Sequence, residues 1–204
     1  MLNKNIVLIG FILSVGFLLV AGLNYPGGSP RDPQSVGFSW TENYLSDMLE
    51  YKAVNGADNP ARPFAVIGAV LMGMSSGLGF LRFSRKLASK QLSVVIKYGG
   101  LLLTISSVLV TIPVLHNPLV TIGIVLNLLV SFYITVTLLK SRLRVLSIFT
   151  VLVLLSLYGA AFMFTTRSSH DYMPLVQKIT HILQIVWILC LEYFTRKEDF
   201  DHIR

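Results

Sequence analysis

The chain is poor in charge, in cysteine and in catalytic signatures. Asp, Glu, Lys and Arg make up 13% of its 204 residues, against about 25% in soluble domains. Cys190 is the one cysteine, which excludes a disulfide or a cysteine-based zinc site within one chain. Its place in the last apolar run reads as a small packing or lipid-facing residue. No phosphate-binding glycine loop, Gly-x-Ser-x-Gly elbow, His-Glu-x-x-His pair or selectivity-filter-like stretch occurs. Pro113 is the only proline well inside an apolar run, and it lies near the outer end. The broken midplane helices of a transporter are therefore not apparent, and the long first outer loop has no counterpart in the second half to mark an inverted repeat.

What the chain has in quantity is apolar sequence. Hydrophobic residues make up 53% and the mean hydropathy is +0.68. Six runs stand out, at about 6–23, 64–81, 92–115, 119–139, 145–164 and 177–195. A helix rising ~1.5 Å per residue needs about 20 residues to cross the hydrocarbon. The pattern predicts an all-α integral membrane protein, one polytopic domain over 1–204 built as a six-helix bundle. Lys4 and Val20-Ala21-Gly22 resemble parts of a signal peptide, but the 6–23 run is longer than a usual signal core, so a retained helix is expected.

The formal net charge of +7 is placed unevenly. Lys4, Arg82, Arg85, Lys86, Lys90, Lys140, Arg142, Arg144, Arg196, Lys197 and Arg204 fall on the side of the termini. Arg31, Lys52, Arg62, Arg167 and Lys178 fall on the other, and Lys97 lies within the third run. Eleven against five predicts both termini in the cytoplasm. The basic loops read as topology signals and anionic-lipid contacts, not as a nucleic-acid footprint.

The largest stretch outside the runs is the outer loop 24–63. Pro26-Gly27-Gly28 opens it and Asn55-Gly56 with Asn59-Pro60 closes it, both with turn chemistry. Between them Ser39 and Glu42 have capping-box spacing. Trp40, Tyr44 and Met48 recur at helical spacing, which predicts a short amphipathic helix at the outer interface with Trp40 and Tyr44 at headgroup level. A loop of ~40 residues exceeds what a connector needs and reads as a functional cap. In the second run Gly73 and Gly77 are four apart, as at a close helix–helix seam.

Polar groups inside the runs need partners. Lys97 and Glu192 lie at similar depth near the cytoplasmic side. They either pair with each other or reach the headgroups separately. Gln177, His181 and Gln184 share one face of the last run, with Glu192 close to it, and Asn127 is deep in the fourth. An Asn127–Gln184 hydrogen bond would join two helices; alternatively this face lines a ligand cavity. On the outer side His116, His170 and His181 accompany Asp47. Histidines and a carboxylate converging there would bind zinc and activate water, in outline as in the ceramidase and adiponectin-receptor hydrolases. Those enzymes have seven helices and paired histidines on the last, where this chain has one.

Two stretches carry a closer resemblance. One is Asn24-Tyr25-Pro26, then Ser39-Trp40-Thr41-Glu42-Asn43-Tyr44-Leu45-Ser46-Asp47, then Asn59-Pro60. The other is Leu175-Val176-Gln177-Lys178-Ile179 with Trp187 beyond it. In these and in helix order the chain resembles a prokaryotic six-helix membrane family catalogued as domain of unknown function 998, which is distantly similar to the Frag/DRAM/Sfk group. The resemblance implies a bacterial inner-membrane protein whose signature residues are Asn43, Ser46, Asp47, Asn59, Pro60 and Gln177. With Trp40, Glu42 and His181 they form the expected cap site. It would be a structural latch, with Asp47 accepting from backbone amides, Lys178 or Arg62, or a headgroup or small-solute pocket under the cap. Two function classes follow. One is a non-enzymatic protein binding membrane lipids, or another membrane protein, at its outer face, with no cofactor. The other is a zinc-dependent intramembrane hydrolase, with a small-solute transporter as a further alternative.

Overall fold

The computed structural model describes residues 5–166 and 170–203, the latter without the side chain of His170. Lys4, Arg167 and Arg204 of the charge count lie outside the described residues. Among the described residues, six helices are long and apolar enough to cross a membrane. They are α1 (Ile6–Asn24), α2 (Arg62–Ser84), α3 (Lys90–Leu109), α4 (His116–Lys140), α5 (Arg144–Thr166) and α6 (Met173–Tyr193). Each packs on its neighbour in sequence, and α6 returns to α2 and touches α1. The chain is a multi-pass, all-helical bundle.

Helix α6 begins at Met173, ahead of the expected 177, and α2 runs a few residues past its expected ends; two further differences, at the end of α3 and the start of α4, are explained by proline. The third apolar run ends its helix at Leu109, because the ring of Pro113 would clash with the carbonyl four residues back. A 3-10 turn, Pro113–Leu115, follows. His116-Asn117-Pro118, expected as the connecting turn, is instead the first turn of α4. The missing N–H of Pro118 costs little there, since the first amides of a helix have no internal partner.

The first and last described residues, Asn5 and Ile203, lie on one face of the bundle. The Tyr193 hydroxyl and Asn5 Oδ1 are 3.2 Å apart, joining the end of α6 to the start of α1. The core sits toward this terminal face. Trp187 is fully buried, with Nε1 donating to Thr150 Oγ1 at 2.9 Å and its ring edge-on to Phe80. The tail folds back as a 3-10 turn, Lys197–Phe200, and buries Phe200 against Phe83 with ring centroids 5.4 Å apart. Lipid tails are as apolar as leucine, so close packing rather than apolar burial holds such helices together. At the α2–α3 seam a Cβ on Gly73 would stand 1.6 Å from Ser107 Oγ, and one on Gly77 1.7 Å from Thr104 Oγ1. Gly123 of α4 and Gly159 of α5 face open space.

Candidate functional site

On the face opposite the termini, residues 25–61 fold into a cap over α1, α2 and α6. Gly28 turns the chain with φ +82°, and a Cβ there would meet Asn55 N at 2.4 Å. Only glycine admits so close an approach with that backbone. Tyr25 is buried beneath the turn, and its hydroxyl accepts from Val54 N at 3.0 Å.

Asn43 is the hub. It is fully buried, and its Nδ2 donates to Gly28 O at 2.8 Å and to Asp47 Oδ2 at 3.0 Å. Its Oδ1 accepts from Ser39 N at 2.9 Å. Asp47 Oδ2 also accepts from Tyr44 N at 2.9 Å, closing a capping box that starts the 3-10 turn Leu45–Leu49. The short interfacial helix is therefore shorter than the spacing predicted and begins at Leu45, with Tyr44 as its cap residue. Ser39 and Glu42 do not cap it: Asn43 takes the Ser39 amide, and Glu42 Oε2 accepts from Ser29 Oγ at 2.8 Å. Side chains of Asn and Asp compete for nearby amides in this way, and here they outcompete helical hydrogen bonding.

Asn59 closes the other end. Its Nδ2 faces three carbonyls, Glu50 O at 2.8 Å, Met48 O at 3.2 Å and Asp47 O at 3.4 Å, and its Oδ1 accepts from Ala61 N. Arg62 Nε donates to Leu49 O at 2.9 Å, and its guanidinium lies over the Tyr51 ring. Trp40 is partly exposed, edge-on to Phe38 and against Gly22 of α1. Ser46 is half-buried beside Asp47 and takes no part in these bonds.

Helix α6 holds the cap down. Gln177 Oε1 accepts from Leu45 N at 3.0 Å. Lys178, buried, donates to the main-chain oxygen of Asn43 and to Pro174 O. Lys178 and Arg62 thus bond carbonyls, not the Asp47 carboxylate. Burial pushes Asp47 above the usual carboxylate range, against the hydrogen bonds from Asn43 and Tyr44 N and the positive charge of Lys178.

Between the cap and the start of α6 lies a cleft of about 90 Å³, lined by Pro30, Arg31, Glu42, Tyr44, Asp171 and Pro174. Arg31 Nη2 donates to Asp171 O at 2.9 Å and lies 3.9 Å from the Asp171 carboxylate. Arg31 was missed in the sequence, where nothing distinguished it from an ordinary loop charge.

The polar groups inside the bundle divide. Gln184 Nε2 donates to Asn127 Oδ1 at 2.7 Å, joining α6 to α4. Glu192 pairs with Arg82 of α2, not with Lys97. The Glu192 side chain faces α2, and Lys97 instead lies over the Tyr98 ring, 5.1 Å from its centroid. Lys86 caps the end of α6, donating to Leu191 O and Glu192 O at 2.9 Å and to Thr195 O at 3.1 Å. Burial lowers its pKa, opposed by the charge of Glu192.

Two of the histidines expected at a metal, His181 and His116, each turn a ring nitrogen to a main-chain oxygen. His181 Nδ1 is 2.7 Å from Gln177 O, and His116 Nδ1 is 2.9 Å from Val110 O. The His170 side chain lies outside the described residues. Among the described residues no three His, Cys, Asp or Glu side chains are grouped to hold a metal ion. No family model, curated protein or solved structure matches this chain.

Proposed function

We propose that this multi-pass membrane protein is a non-enzymatic binder of a zwitterionic phospholipid headgroup, held at the cleft between the cap and α6. The observation that carries the reading is the charge arrangement there. Arg31 faces the same cleft as Glu42 and Asp171. A guanidinium carries five donors in a fork matched to phosphate oxygens, and the described contacts of Arg31 use one nitrogen. Two carboxylates beside it suit the ammonium of an ethanolamine headgroup, which can donate hydrogen bonds where a quaternary choline cannot. Tyr44 and Tyr172 bring amphipathic rings to the same level, as at a membrane interface.

The cap itself is a latch in this reading. Asn43, Asp47, Asn59 and Gln177 spend their hydrogen bonds on the cap's own backbone and side chains, so the ligand is offered the rim and not the hub. The excess of basic residues on the terminal face supports an orientation with both termini in the cytoplasm and the cap outside. The resemblance to the prokaryotic six-helix family supports a bacterial cytoplasmic membrane.

The test is native mass spectrometry of protein released from nanodiscs of mixed phosphatidylethanolamine and phosphatidylcholine. Preferential retention of the ethanolamine lipid, lost in Arg31→Ala and reduced in Asp171→Asn, is expected. Equal retention of the two lipids, or retention unchanged by Arg31→Ala, would overturn the reading.

A further inference from the structure

On the terminal face, a groove of about 520 Å³ lies between α5 and α6. Leu143, Leu146 and Phe149 of the α5 side and Cys190 and Phe194 of the α6 side line it, with Arg144 among them. Its volume falls within the ~300–1,000 Å³ typical of ligand sites. We infer that this groove binds an anionic phospholipid, with an acyl chain between the two helices and the phosphate against Arg144 and Arg142.

Charge and depth argue for that occupant. Arg144 lines the groove, and exposed Arg142 and Lys140 precede it by two and four residues in the chain. The stretch 140–166 contains no acidic residue. The nearest acids in sequence to the α6 wall are in the tail. The tail carries Glu198, Asp199 and Asp201 against Arg196 and Lys197; Asp199 accepts from Arg196 N at 2.7 Å, and Asp201 adjoins His202, whose Nε2 lies 3.0 Å from Lys140 O. Glu192, on the same helix, is occupied by Arg82 of α2. The charge on the groove's own lining is therefore positive, at Arg144, and its other walls are apolar. Basic pockets between helices at a membrane surface select anionic headgroups for this reason. A zwitterionic lipid would meet the same walls but gain little from Arg142 and Arg144, neither of which forms an ion pair among the described residues. The site is on the face opposite the cap cleft and does not rest on the cap reading.

Cys190 supplies a readout inside the groove, since it is the only cysteine. An occupying chain shields its thiol. The experiment reconstitutes the full chain in phosphatidylcholine nanodiscs with and without phosphatidylglycerol. It records both the lipid retained in native mass spectra and the rate of Cys190 alkylation by N-ethylmaleimide. Phosphatidylglycerol is expected to be retained over phosphatidylcholine and to slow alkylation severalfold. Arg142→Gln and Arg144→Gln should each weaken retention about fivefold and release the protection of Cys190. Arg85→Gln, an exposed charge on the same face outside the groove, should change neither. Equal retention of the two lipids, alkylation indifferent to phosphatidylglycerol, or an Arg85→Gln effect as large as that of Arg144→Gln would each overturn the inference. The last result would reduce it to general surface charge.

Discussion

The main-chain amide of Leu45 donates to Gln177 Oε1 at 3.0 Å across 132 residues of sequence. One side chain of α6 thereby satisfies the amide that opens the cap's 3-10 turn. Gln177→Ala removes the acceptor and leaves a half-buried amide without its partner. Such losses cost about 1–3 kcal/mol. Hydrogen exchange should show faster exchange at 43–49 with little change in the helices. Unaltered protection at Leu45 would mean that the cap does not depend on this latch.

Asn59 and Ser46 share the expected signature but differ in what they touch. Asn59 meets three carbonyls and one amide, while Ser46 makes none of the cap's bonds. Asn59→Ala should lower the melting temperature in detergent clearly, through about 1–3 kcal/mol per polar group left buried. Ser46→Ala should stay within about 0.5 kcal/mol, the usual range for positions away from such features. A comparable loss in both variants would assign Ser46 a bond that the cap geometry lacks.

Asp47 gives the cap a pH dependence of definite sign. Burial raises its pKa above that of the unfolded chain. Its ionised form is thus the costly one in the folded cap, and the stability linked to it is lost as pH rises through the folded value. A neutral carboxyl can still accept from Tyr44 N and Asn43 on Oδ2. Asp47→Asn imitates that neutral state at every pH. Thermal melts of the two proteins should therefore differ most at neutral pH, with the wild type gaining on the variant as the pH becomes acidic. A wild-type protein that loses ground to Asp47→Asn in acid would reverse the assigned sign.

The helices were legible because a membrane span is a demand on length and apolarity, both visible in one dimension. The cap's hydrogen bonds were legible only in part. Asn43, Asp47, Asn59 and Gln177 are polar residues flanking turns, so their involvement could be read, but not their partners. Asp47 was expected to accept from backbone amides, Lys178 or Arg62; it takes the amide of Tyr44, while those cations went to carbonyls that the local turns left open. The Ser39–Glu42 capping box failed because spacing alone does not reveal that Asn43 reaches the same amide. The Lys97–Glu192 pair failed for a related reason: similar depth says nothing of azimuth, and Glu192 faces α2.

That last correction has an energetic consequence. The Glu192 side chain is 8% exposed and that of Arg82 17%, so neither charge is screened as a surface pair would be. Removing one partner of a buried pair leaves an uncompensated charge, at a cost of about 3–5 kcal/mol. Arg82→Met should destabilise the protein by that order in thermal unfolding. The double variant Arg82→Met/Glu192→Gln should recover much of the loss. Lys97→Met should be nearly silent, and a large effect there would restore Lys97 as a partner of consequence.

The glycines separate a packing seam from a lipid-facing surface. A Cβ on Gly73 would meet not only Ser107 Oγ but Ser107 Cβ, at 2.5 Å. Rotating the hydroxyl away does not clear that clash, so α2 and α3 must move apart. Overpacking of this kind costs about 1–3 kcal/mol. At Gly159 nothing lies within 4 Å of the added carbon, and alanine gains up to about 1 kcal/mol in helix propensity over glycine. Gly73→Ala should therefore melt lower than wild type and Gly159→Ala no lower. If the two substitutions behaved alike, the close α2–α3 approach would not be what holds this side of the bundle together.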